Sequence, residues 1–275
     1  MCIRDRLIAK LRRQKLVADV HEDYLQLLKD RSWAKGVIGF LAGLIARAAS
    51  QIAKRAALTT VADVHVPPQN AKNRLVVRNL PDASLITSSG ELSATPTAIY
   101  IGDIRSSRGL KKILETAEIA TNWKFELIGS VAAADKDYLE NWQRTSPAAS
   151  RVNFHGKLAP KQSWQCAKGA WVGLSLLDAT PAFVDAVPSK LYEYLTSGLA
   201  VVTTDLPRSA KVISESNAGV IANTPSEIAN ALIKFEGNKD LINQLRSNGA
   251  NWAKNNLDSP AEYHRFTAAI SNLLK

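Results

Sequence analysis

The stretch Val187–Asp205, VPSKLYEYLTSGLAVVTTD, places a short helical pattern directly before an apolar run. Pro188 suits the first position of a helix and Gly198 suits the position just past a helix end, so the sequence predicts a helix over 188–197. The run LAVVTTD that follows is typical of a strand buried on both faces. A helix feeding such a strand belongs to a parallel sheet, and it leaves the single carboxylate of the helix, Glu193, to be explained.

Alternating strand and helix patterns extend in both directions from this stretch. Apolar runs indicate strands in TAIYIGD, KFELIGS, RVNFHGK and WVGLSLLD, with helical patterns between them. Further helices are predicted at about 225–236, 238–256 and 260–274. Towards the N-terminus, KLVADV, LTTVADV and RLVVRNLPD are strand candidates, and 32–57 is helical in composition. Strands that alternate with helices indicate a parallel sheet with right-handed crossovers.

The predicted fold is therefore α/β, with one complete Rossmann-like domain and part of another. A polar segment of small residues over 83–96 is the predicted linker. Residues 1–82 form the partial N-terminal domain and 97–256 the complete C-terminal domain, while a helix over 257–275 is a candidate to pack back on the N-terminal part. The opening letters MCIRDR resemble translated adapter sequence, so the natural N-terminus is expected to lie further upstream.

The composition favours an anionic partner. The chain has 35 Lys and Arg against 25 Asp and Glu, a net charge of +10, which attracts nucleotides, phosphates, acidic membranes or nucleic acids. Nucleic-acid binding is the weakest of these interpretations, because basic residues are not interleaved with aromatic ones. Two cysteines and four scattered histidines give neither a disulfide framework nor metal-ligand spacing. We therefore expect no metal and a reducing, cytoplasmic location.

The longest apolar run, GVIGFLAGLIA at 36–46, is about half the length of a membrane-spanning helix. A soluble protein, or one that rests on a membrane surface, is therefore expected rather than a spanning one. The basic stretch over 29–55 leaves two interpretations open. It is either a helix in peripheral contact with the inner face of the membrane, near lipid-linked acceptors, or an ordinary packed helix whose Lys and Arg side chains reach back to solvent.

Site residues are expected at the carboxyl ends of the strands, where parallel sheets bind their ligands. Gly102 and Gly129, the glycines of YIG and LIGS, follow two such strands. The start of the short helix offers free backbone N–H groups to an anion, and Lys190 adds positive charge there. Glu193, one turn further on, can accept two hydrogen bonds from neighbouring hydroxyls, such as those of a ribose. Asp185 precedes Glu193 with seven residues between them.

The pattern D-x7-E within FVDAVPSKLYEYLTSGLAVVTTDLP resembles the E-x7-E region of glycosyltransferase family 4, whose members have the GT-B fold. Other segments resemble the same family in the same order: VVRNLPD, YIGDIRSSRGLKKILETAE, FELIGS, NFHGKLAPKQSWQCAKGAWVGLSLL and LPRSAKVISESNAGVI. The resemblance runs from residue 15 to residue 255. It implies two Rossmann-like domains, of which the second binds a nucleotide sugar.

This resemblance implies roles for individual residues. Glu193 would hold the ribose, and Asp185, at a position that is usually Glu, would contact the sugar ring or its surroundings. A basic pair clamps the donor diphosphate in the family, because the leaving diphosphate gains charge in the transition state. Arg108 falls on the Lys of that pair, whereas Asp103 stands where the family has Arg, and Arg105 is the candidate replacement. The other donor-binding candidates lie at strand ends and around the helix start: Gly102, Gly129, Val184, Pro188, Ser189 and Lys190.

The segment KLVADVHEDY resembles the strand of the family's first domain that ends at an active-site His, and His21 matches that position. His21 and Asp185 are thus the candidate catalytic residues. The resemblance also implies transfer with retention at the anomeric carbon and without a metal or cofactor.

Two functions remain open at this point. The first is a retaining glycosyltransferase of cell-envelope polysaccharide synthesis, which moves a sugar from a nucleotide-diphospho-sugar to a glycan, lipid-linked or small-molecule acceptor. Closure of the cleft would then bring His21 and the acceptor to the anomeric carbon. The second is a nucleotide-sugar binding module without activity, which is expected if half of the acceptor domain is absent.

Overall fold

The computed structural model describes Arg12, residues 14–29, Arg31 and residues 33–275, so the MCIRDR motif lies outside the described residues. The chain divides into two compact units. The first unit consists of Met1–Leu80, Thr180–Asp185 and Asp258–Lys275, and the second of Pro81–Ala179 and Ala186–Leu257.

The first unit contains a parallel sheet of the order β1-β2-β3. Strand β1 (Val17–Val20) leads through helix α1 (Tyr24–Lys29) and helix α2 (Gly36–Lys54) into β2 (Leu58–Val61), and β3 (Arg74–Val76) follows. The helices α1 and α2 therefore form the crossover between two neighbouring parallel strands. The three strands lie where the sequence predicts them.

The second unit alternates strands and helices throughout. In chain order its elements are β4 (Thr97–Ile101), α3 (Leu110–Ile119), β5 (Lys124–Ile128), α4 (Lys136–Thr145), β6 (Val152–Phe154), α5 (Pro160–Cys166), β7 (Val172–Ser175), α6 (Ser189–Ser197), β8 (Ala200–Thr203), α7 (Pro207–Ser216), β9 (Gly219–Ile221), α8 (Pro225–Glu236) and α9 (Lys239–Asn256). The strands form one parallel sheet of the order β6-β5-β4-β7-β8-β9. The predicted α/β class is confirmed.

This strand order creates a switch point between β4 and β7. The chain first extends the sheet from β4 through β5 to β6, and then returns to the other side of β4 to add β7, β8 and β9. Parallel sheets of this kind bind their ligands beside such a switch point, at the carboxyl ends of the strands. The fold places the candidate site at this edge.

Buried apolar side chains cover both faces of this sheet. On one face, the indole rings of Trp123 and Trp171 meet edge to face, with 5.7 Å between their centroids. On the other, Leu191 and Leu195 of α6 are fully buried against the sheet. Gly198 ends α6 in the left-handed conformation, as the sequence predicts. The helix of the opening motif is thus held by packing on one side, and its opposite side carries the polar residues.

The C-terminal helix α10 (Ser259–Leu274) belongs to the first unit. Glu262 in its first turn is 5% exposed and accepts a hydrogen bond from Nε of Arg78 at 2.9 Å. Arg265, one turn further along α10, also contacts this carboxylate at 3.2 Å. Because a buried carboxylate is stable only with such partners, these contacts fix α10 to the segment that follows β3.

Candidate functional site

Two glycines bring the ends of β4 and β5 into direct contact. Gly102 (φ 133°) and Gly129 (φ 145°) both adopt backbone conformations that favour glycine. A Cβ atom added to Gly129 would lie 1.9 Å from the carbonyl oxygen of Gly102. The N–H of Gly102 donates to the carbonyl of Ile128, and the N–H of Gly129 to that of Gly156, each at 2.8 Å. Both predicted glycines thus lie at the carboxyl edge and shape it.

Lys190 projects from the first turn of α6 towards this pair of strand ends. Its side chain is 5% exposed, and its Nζ lies 3.5 Å from the centroid of the Tyr100 ring. The same atom lies 3.2 Å from the position of a Cβ added to Gly102, so the glycine leaves room for the lysine. Among the residues that the structure describes, Nζ has no hydrogen-bond partner. Such a buried amine is costly to the fold and is typical of functional sites.

The surroundings of Lys190 disfavour its charged form. Burial, followed by the positive charge of Arg108, lowers the pKa of the ammonium well below its ordinary value of 10.5, and the carboxylates of Glu193 and Asp103 oppose this shift. An anion placed beside Lys190 and Arg108 would reverse the shift, because it stabilises both positive charges. The cluster is therefore electrostatically prepared for an anionic group.

Two tyrosines hold the cluster together. The hydroxyl of Tyr100 donates to the carbonyl of Asp103 at 2.7 Å, which fixes the loop after β4. The hydroxyl of Tyr194 accepts from the N–H of Ile101 at 3.0 Å. A Cβ added to Gly173 would lie 2.4 Å from the Tyr194 ring, so α6 approaches the sheet closely at this point. Burial raises the pKa of both phenols, which stay neutral.

The loop after β4 presents the two arginines. Arg105 forms an ion pair with Asp103 through Nη2, so the candidate replacement for the family's arginine already has a carboxylate partner. Arg108 ends a short 3₁₀ turn, and its charge lowers the pKa of Lys190, which places it in the same cluster. Gly109 (φ 95°) follows, and a Cβ there would lie 2.5 Å from Cβ of Leu176 at the end of β7. Close packing against β7 therefore fixes the position of Arg108.

Sequence reasoning missed the side chains that support this turn. Asp135 accepts from the backbone N–H of Ser106 at 3.0 Å and also from its hydroxyl. The N–H of Asp178 donates to the carbonyl of Ser107 at 3.0 Å, and its carboxylate pairs with Lys112 at 2.5 Å. Asp135 lies 29 residues from Ser106 in sequence, and no motif joins the two. The contact of Asp178 follows from its position at the end of β7.

Glu193 lies one turn after Lys190 on α6 and is half-buried. Burial raises the pKa of its carboxyl above the ordinary 4.5, whereas a hydrogen bond with the Ser189 side chain and the charge of Lys190 lower it. The helix begins at Ser189, with Pro188 as its N-cap residue, one position later than the sequence predicts. Pro188 has no backbone N–H, so it shapes the turn and cannot donate to an anion.

The remaining predicted residues belong to the first unit. Val184 and Asp185 are exposed residues of the segment Thr180–Asp185, in which the N–H of Val184 donates to the carbonyl of Thr180 at 2.9 Å. His21 follows β1 directly. Its Nε2 lies 2.7 Å from Oδ2 of Asp19.

Asp19 and Thr60 support His21 and were not predicted. Oδ1 of Asp19 accepts a hydrogen bond from the hydroxyl of Thr60 at 2.8 Å, which completes a chain from the buried strand β2 to the imidazole. A signal was available, because Asp19 lies two residues before His21 and side chains two apart share one face of a strand. The parallel register pairs Asp19 with Thr60 and so adds Thr60 as the third member of this hydrogen-bonded chain.

Within the described parts of the chain, no group of three or more His, Cys, Asp or Glu residues is arranged to hold a metal ion. The cluster around Lys190 offers one amine, guanidinium groups and glycine backbone. These groups bind phosphate oxygens, for which arginine supplies bidentate hydrogen bonds and lysine a point charge. The arrangement is suited to a diphosphate, and a carboxylate such as that of Glu193, one helical turn from Lys190, can accept hydrogen bonds from hydroxyl groups.

Comparisons with known proteins identify the family and the fold. A family model, glycosyl transferases group 1, matches residues 85–252. A search of curated proteins finds no match.

Solved structures resemble nearly the whole chain. Sucrose-phosphate synthase from Thermosynechococcus elongatus superposes with a TM-score of 0.75 at 13% identity and covers 98% of this chain and 71% of its own. HepE from Anabaena, solved in complex with UDP-glucose, gives 0.75 at 15% identity, with 98% and 75% covered. WaaG, described as a glycosyltransferase involved in lipopolysaccharide biosynthesis, gives 0.69 at 15%, with 96% and 80% covered. At these identities the likeness concerns the fold, and the predicted GT-B class is confirmed.

Proposed function

The chain belongs to the glycosyl transferases group 1 family, and we propose that it moves a sugar from a nucleoside-diphosphate sugar to an acceptor, with retention at the anomeric carbon. The observation that carries this proposal is that the first two turns of α6, at the switch point of the sheet, bear Glu193 and the buried Lys190, whose Nζ has no hydrogen-bond partner among the described residues. A nucleoside diphosphate carries an anionic diphosphate and, on its ribose, a pair of hydroxyls. Lys190 suits the first group and Glu193 the second, and the two residues lie one helical turn apart.

In this proposal the diphosphate binds among Lys190, Arg108 and the backbone of Gly102 and Gly129. Positive charge is needed there because the leaving nucleoside diphosphate gains negative charge as the glycosidic bond breaks. Arg108 is the principal arginine of the clamp, since it shares its surroundings with Lys190. Arg105 contributes only if it exchanges its ion pair with Asp103 for one with phosphate.

The ribose binds Glu193, whose carboxylate accepts hydrogen bonds from the 2′- and 3′-hydroxyls. Ser189 hydrogen-bonds this carboxylate and orients it. UDP-sugars are the first donors to test, because HepE of the same fold is solved with UDP-glucose. Pro188 lies directly before the helix and shapes the turn into it, and Val184 belongs to the loop that precedes this turn.

We assign the sugar-side chemistry to His21 and Asp185. The imidazole of His21 is held by Asp19 and, through it, by Thr60, so its orientation is set before substrate arrives. Asp185 takes the position that is usually Glu in the family. Its shorter side chain reaches less far, so it is assigned to the surroundings of the sugar ring.

The acceptor is a glycan or a lipid-linked saccharide of the cell envelope, and the protein acts in the cytoplasm or at the inner face of the membrane. The basic net charge supports an acceptor with phosphate groups. The lipopolysaccharide context of WaaG, which shares the fold, is consistent with this choice.

A thermal-shift panel of UDP-, GDP- and ADP-sugars on the full chain and on Glu193→Ala tests the donor site. We expect one nucleotide to stabilise the wild type and to lose about tenfold or more in affinity in the variant, because a charge-assisted hydrogen bond to a hydroxyl is removed. Glu215→Ala, which removes an exposed carboxylate from α7, serves as the control and keeps wild-type affinity.

Failure of every nucleotide to stabilise the wild type would contradict the donor site, and so would an unchanged affinity in Glu193→Ala. Hydrolysis of the bound donor, measured as release of free sugar, then separates an enzyme from a binding module. A chain that binds nucleotide tightly but neither hydrolyses nor transfers the sugar acts only as a binding module.

A further inference from the structure

Helix α2 directs the large apolar side chains of its first three turns into solvent. Val37 is 75% exposed and Phe40 63%. We use the name apolar face for the exposed large apolar residues of this helix: Val37, Ile38, Phe40, Leu41, Leu44 and Ile45. They recur at spacings of three and four residues, so they form one continuous surface along the first three turns. An exposed surface of this kind marks an interaction site.

The opposite side of α2 carries small residues. Gly39, Ala42, Ala46, Ala49 and Ala53 follow each other at spacings of three and four, and all are partly or fully buried. The helix contacts β1 and α1 of its own unit, and Ala53 belongs to the core of that unit. A helix of a globular protein normally buries its large apolar side chains and exposes the polar ones. In α2 this arrangement is inverted. Packing within its own unit therefore does not explain why the exposed residues are large and apolar.

The helix is suited to lie along a membrane surface rather than to cross it. By length and composition alone, α2 is the one helix among those described that could span a bilayer. Its apolar face, however, ends before Arg47, which is exposed in the middle of the helix. Its last turn is buried through Ile52 and Ala53, and the helix joins two neighbouring strands of one sheet. These ties keep both ends of the helix in the same folded unit.

The charge of the residues in and around α2 indicates which partner the apolar face binds. Residues 31–62 contain five Lys and Arg residues and no Asp or Glu. Lys35 precedes the apolar face as the N-cap residue of α2, and Arg47 follows it one turn after Gly43. We propose that the apolar face inserts into an anionic phospholipid bilayer at the boundary between headgroups and acyl chains, with these basic residues against the lipid headgroups. A second copy of the chain fits less well, because it would bring two basic surfaces together.

Flotation with vesicles tests this proposal on the full chain. We expect the protein to float with vesicles of phosphatidylglycerol and phosphatidylcholine, to float much less with phosphatidylcholine alone, and to dissociate as salt is raised. Phe40→Ser with Ile45→Ser should weaken binding by about a hundredfold, since each removes one inserted apolar side chain. Lys35→Gln with Arg47→Gln should weaken binding only to the anionic vesicles, by about tenfold.

Ile233→Ser is the matched control. Ile233 is an exposed apolar residue of α8 in the second unit, and its replacement should leave flotation unchanged. The fluorescence of Trp33, 58% exposed just before α2, gives a second readout in the otherwise unchanged protein. The emission of Trp33 should shift to the blue when the protein binds vesicles, and Trp33→Phe should abolish this shift.

The proposal is overturned if the wild type stays with the soluble fraction, or if Phe40→Ser with Ile45→Ser floats as the wild type does. Sedimentation tests the alternative that the apolar face binds a second copy of the chain. That alternative would be supported if the wild type self-associates and does not float, and if Phe40→Ser with Ile45→Ser abolishes the self-association. None of these measurements depends on the donor site, because nucleotide affinity is measured separately on the same variants.

Discussion

Replacing Lys190 by Met should stabilise the protein and weaken nucleotide binding at the same time. In the folded chain the ammonium is withdrawn from water and lacks a hydrogen-bond acceptor among the described residues. A residue that served only to hold the fold together would show the opposite behaviour. The double effect therefore separates a functional lysine from a structural one.

The magnitude follows from two opposing contributions. Desolvation of a buried ammonium costs several kcal/mol after relaxation, while its contact with the Tyr100 ring, 3.5 Å from Nζ, returns about 2 kcal/mol. Methionine is flexible and uncharged and can fill the space of the lysine side chain. We expect the free energy of unfolding of Lys190→Met to rise by about 1–3 kcal/mol. Loss of the charge-assisted contact to phosphate should weaken nucleotide binding by about 10- to 100-fold.

The stability gain should depend on pH in a defined direction. The pKa of Lys190 in the folded chain lies well below the 10.5 of an exposed lysine. The unfolded chain therefore binds the proton more tightly, and the cost of burying Lys190 is fully present below the folded pKa. As the pH rises through the folded pKa towards 10.5, the cost disappears. The advantage of Lys190→Met over the wild type should shrink accordingly with rising pH.

Denaturant unfolding at several pH values measures the stability, and calorimetry with the stabilising nucleotide measures the affinity. Lys211→Met removes an exposed lysine of α7 and should change neither quantity by more than about 0.5 kcal/mol. The reasoning fails if Lys190→Met is destabilised while its nucleotide affinity stays equal to that of the wild type. Such a result would make Lys190 a packing residue and remove the main support for a diphosphate at α6.

Three further predictions follow from the geometry. Gly129→Ala should destabilise the protein by about 3 kcal/mol or more, because its Cβ would meet a backbone oxygen at 1.9 Å and its φ of 145° strains any other residue; Gly43→Ala, with open space in α2, should stabilise it by about 1 kcal/mol in the same denaturant titration. Nucleotide affinity should fall on acidification starting above pH 4.5, since burial raises the pKa of Glu193 and the neutral carboxyl is the poorer acceptor; a Glu193→Gln variant that keeps this pH dependence would refute the assignment. Asp19→Asn should lower the rate of sugar transfer about tenfold at unchanged donor affinity, because the imidazole of His21 loses a charged partner at 2.7 Å; equal rates in the two proteins would refute the role of Asp19 as a positioning residue for His21.

Local patterns in the sequence were sufficient to predict the helices and strands of the second unit. Glycine, proline and apolar periodicity act within a few residues, so α6, its end at Gly198 and the neighbouring strands lie where the sequence predicts them. The start of α6 differs by one residue, since Pro188 is the N-cap and not the first helical position. Fixed φ makes a proline compatible with both positions, so the sequence alone does not distinguish them.

Contacts between distant segments were not predictable. The pairing of Lys190 with Tyr100 joins residues on α6 and β4, and it depends on how closely α6 approaches the sheet. That approach is permitted by Gly173, whose missing Cβ would otherwise meet the Tyr194 ring. The ion pair of Arg105 with Asp103 is local, but its formation depends on side-chain rotamers that no spacing rule specifies.

The first unit illustrates a further limit. Residues 32–57 predict a helix, and the run 36–46 predicts an apolar one, but neither states which side of the helix faces the protein. The stripe of Gly39, Ala42, Ala46 and Ala49 carries that information, because small residues allow a helix to approach a neighbour closely. A pattern based on hydrophobicity alone gives this stripe of small residues less weight than the apolar run.

The buried amine of Lys190 and the exposed apolar face of α2 have one property in common. Each lowers the stability of the isolated chain, the first by removing a charge from water and the second by leaving apolar surface in it. Residues that are unfavourable in the free protein become favourable when a ligand supplies what they lack, an anion in one case and a lipid phase in the other. The two sites lie in different units and are tested by different variants, so nucleotide binding should survive Phe40→Ser and flotation should survive Lys190→Met. A variant of one site that abolished both activities would indicate unfolding rather than loss of a ligand contact.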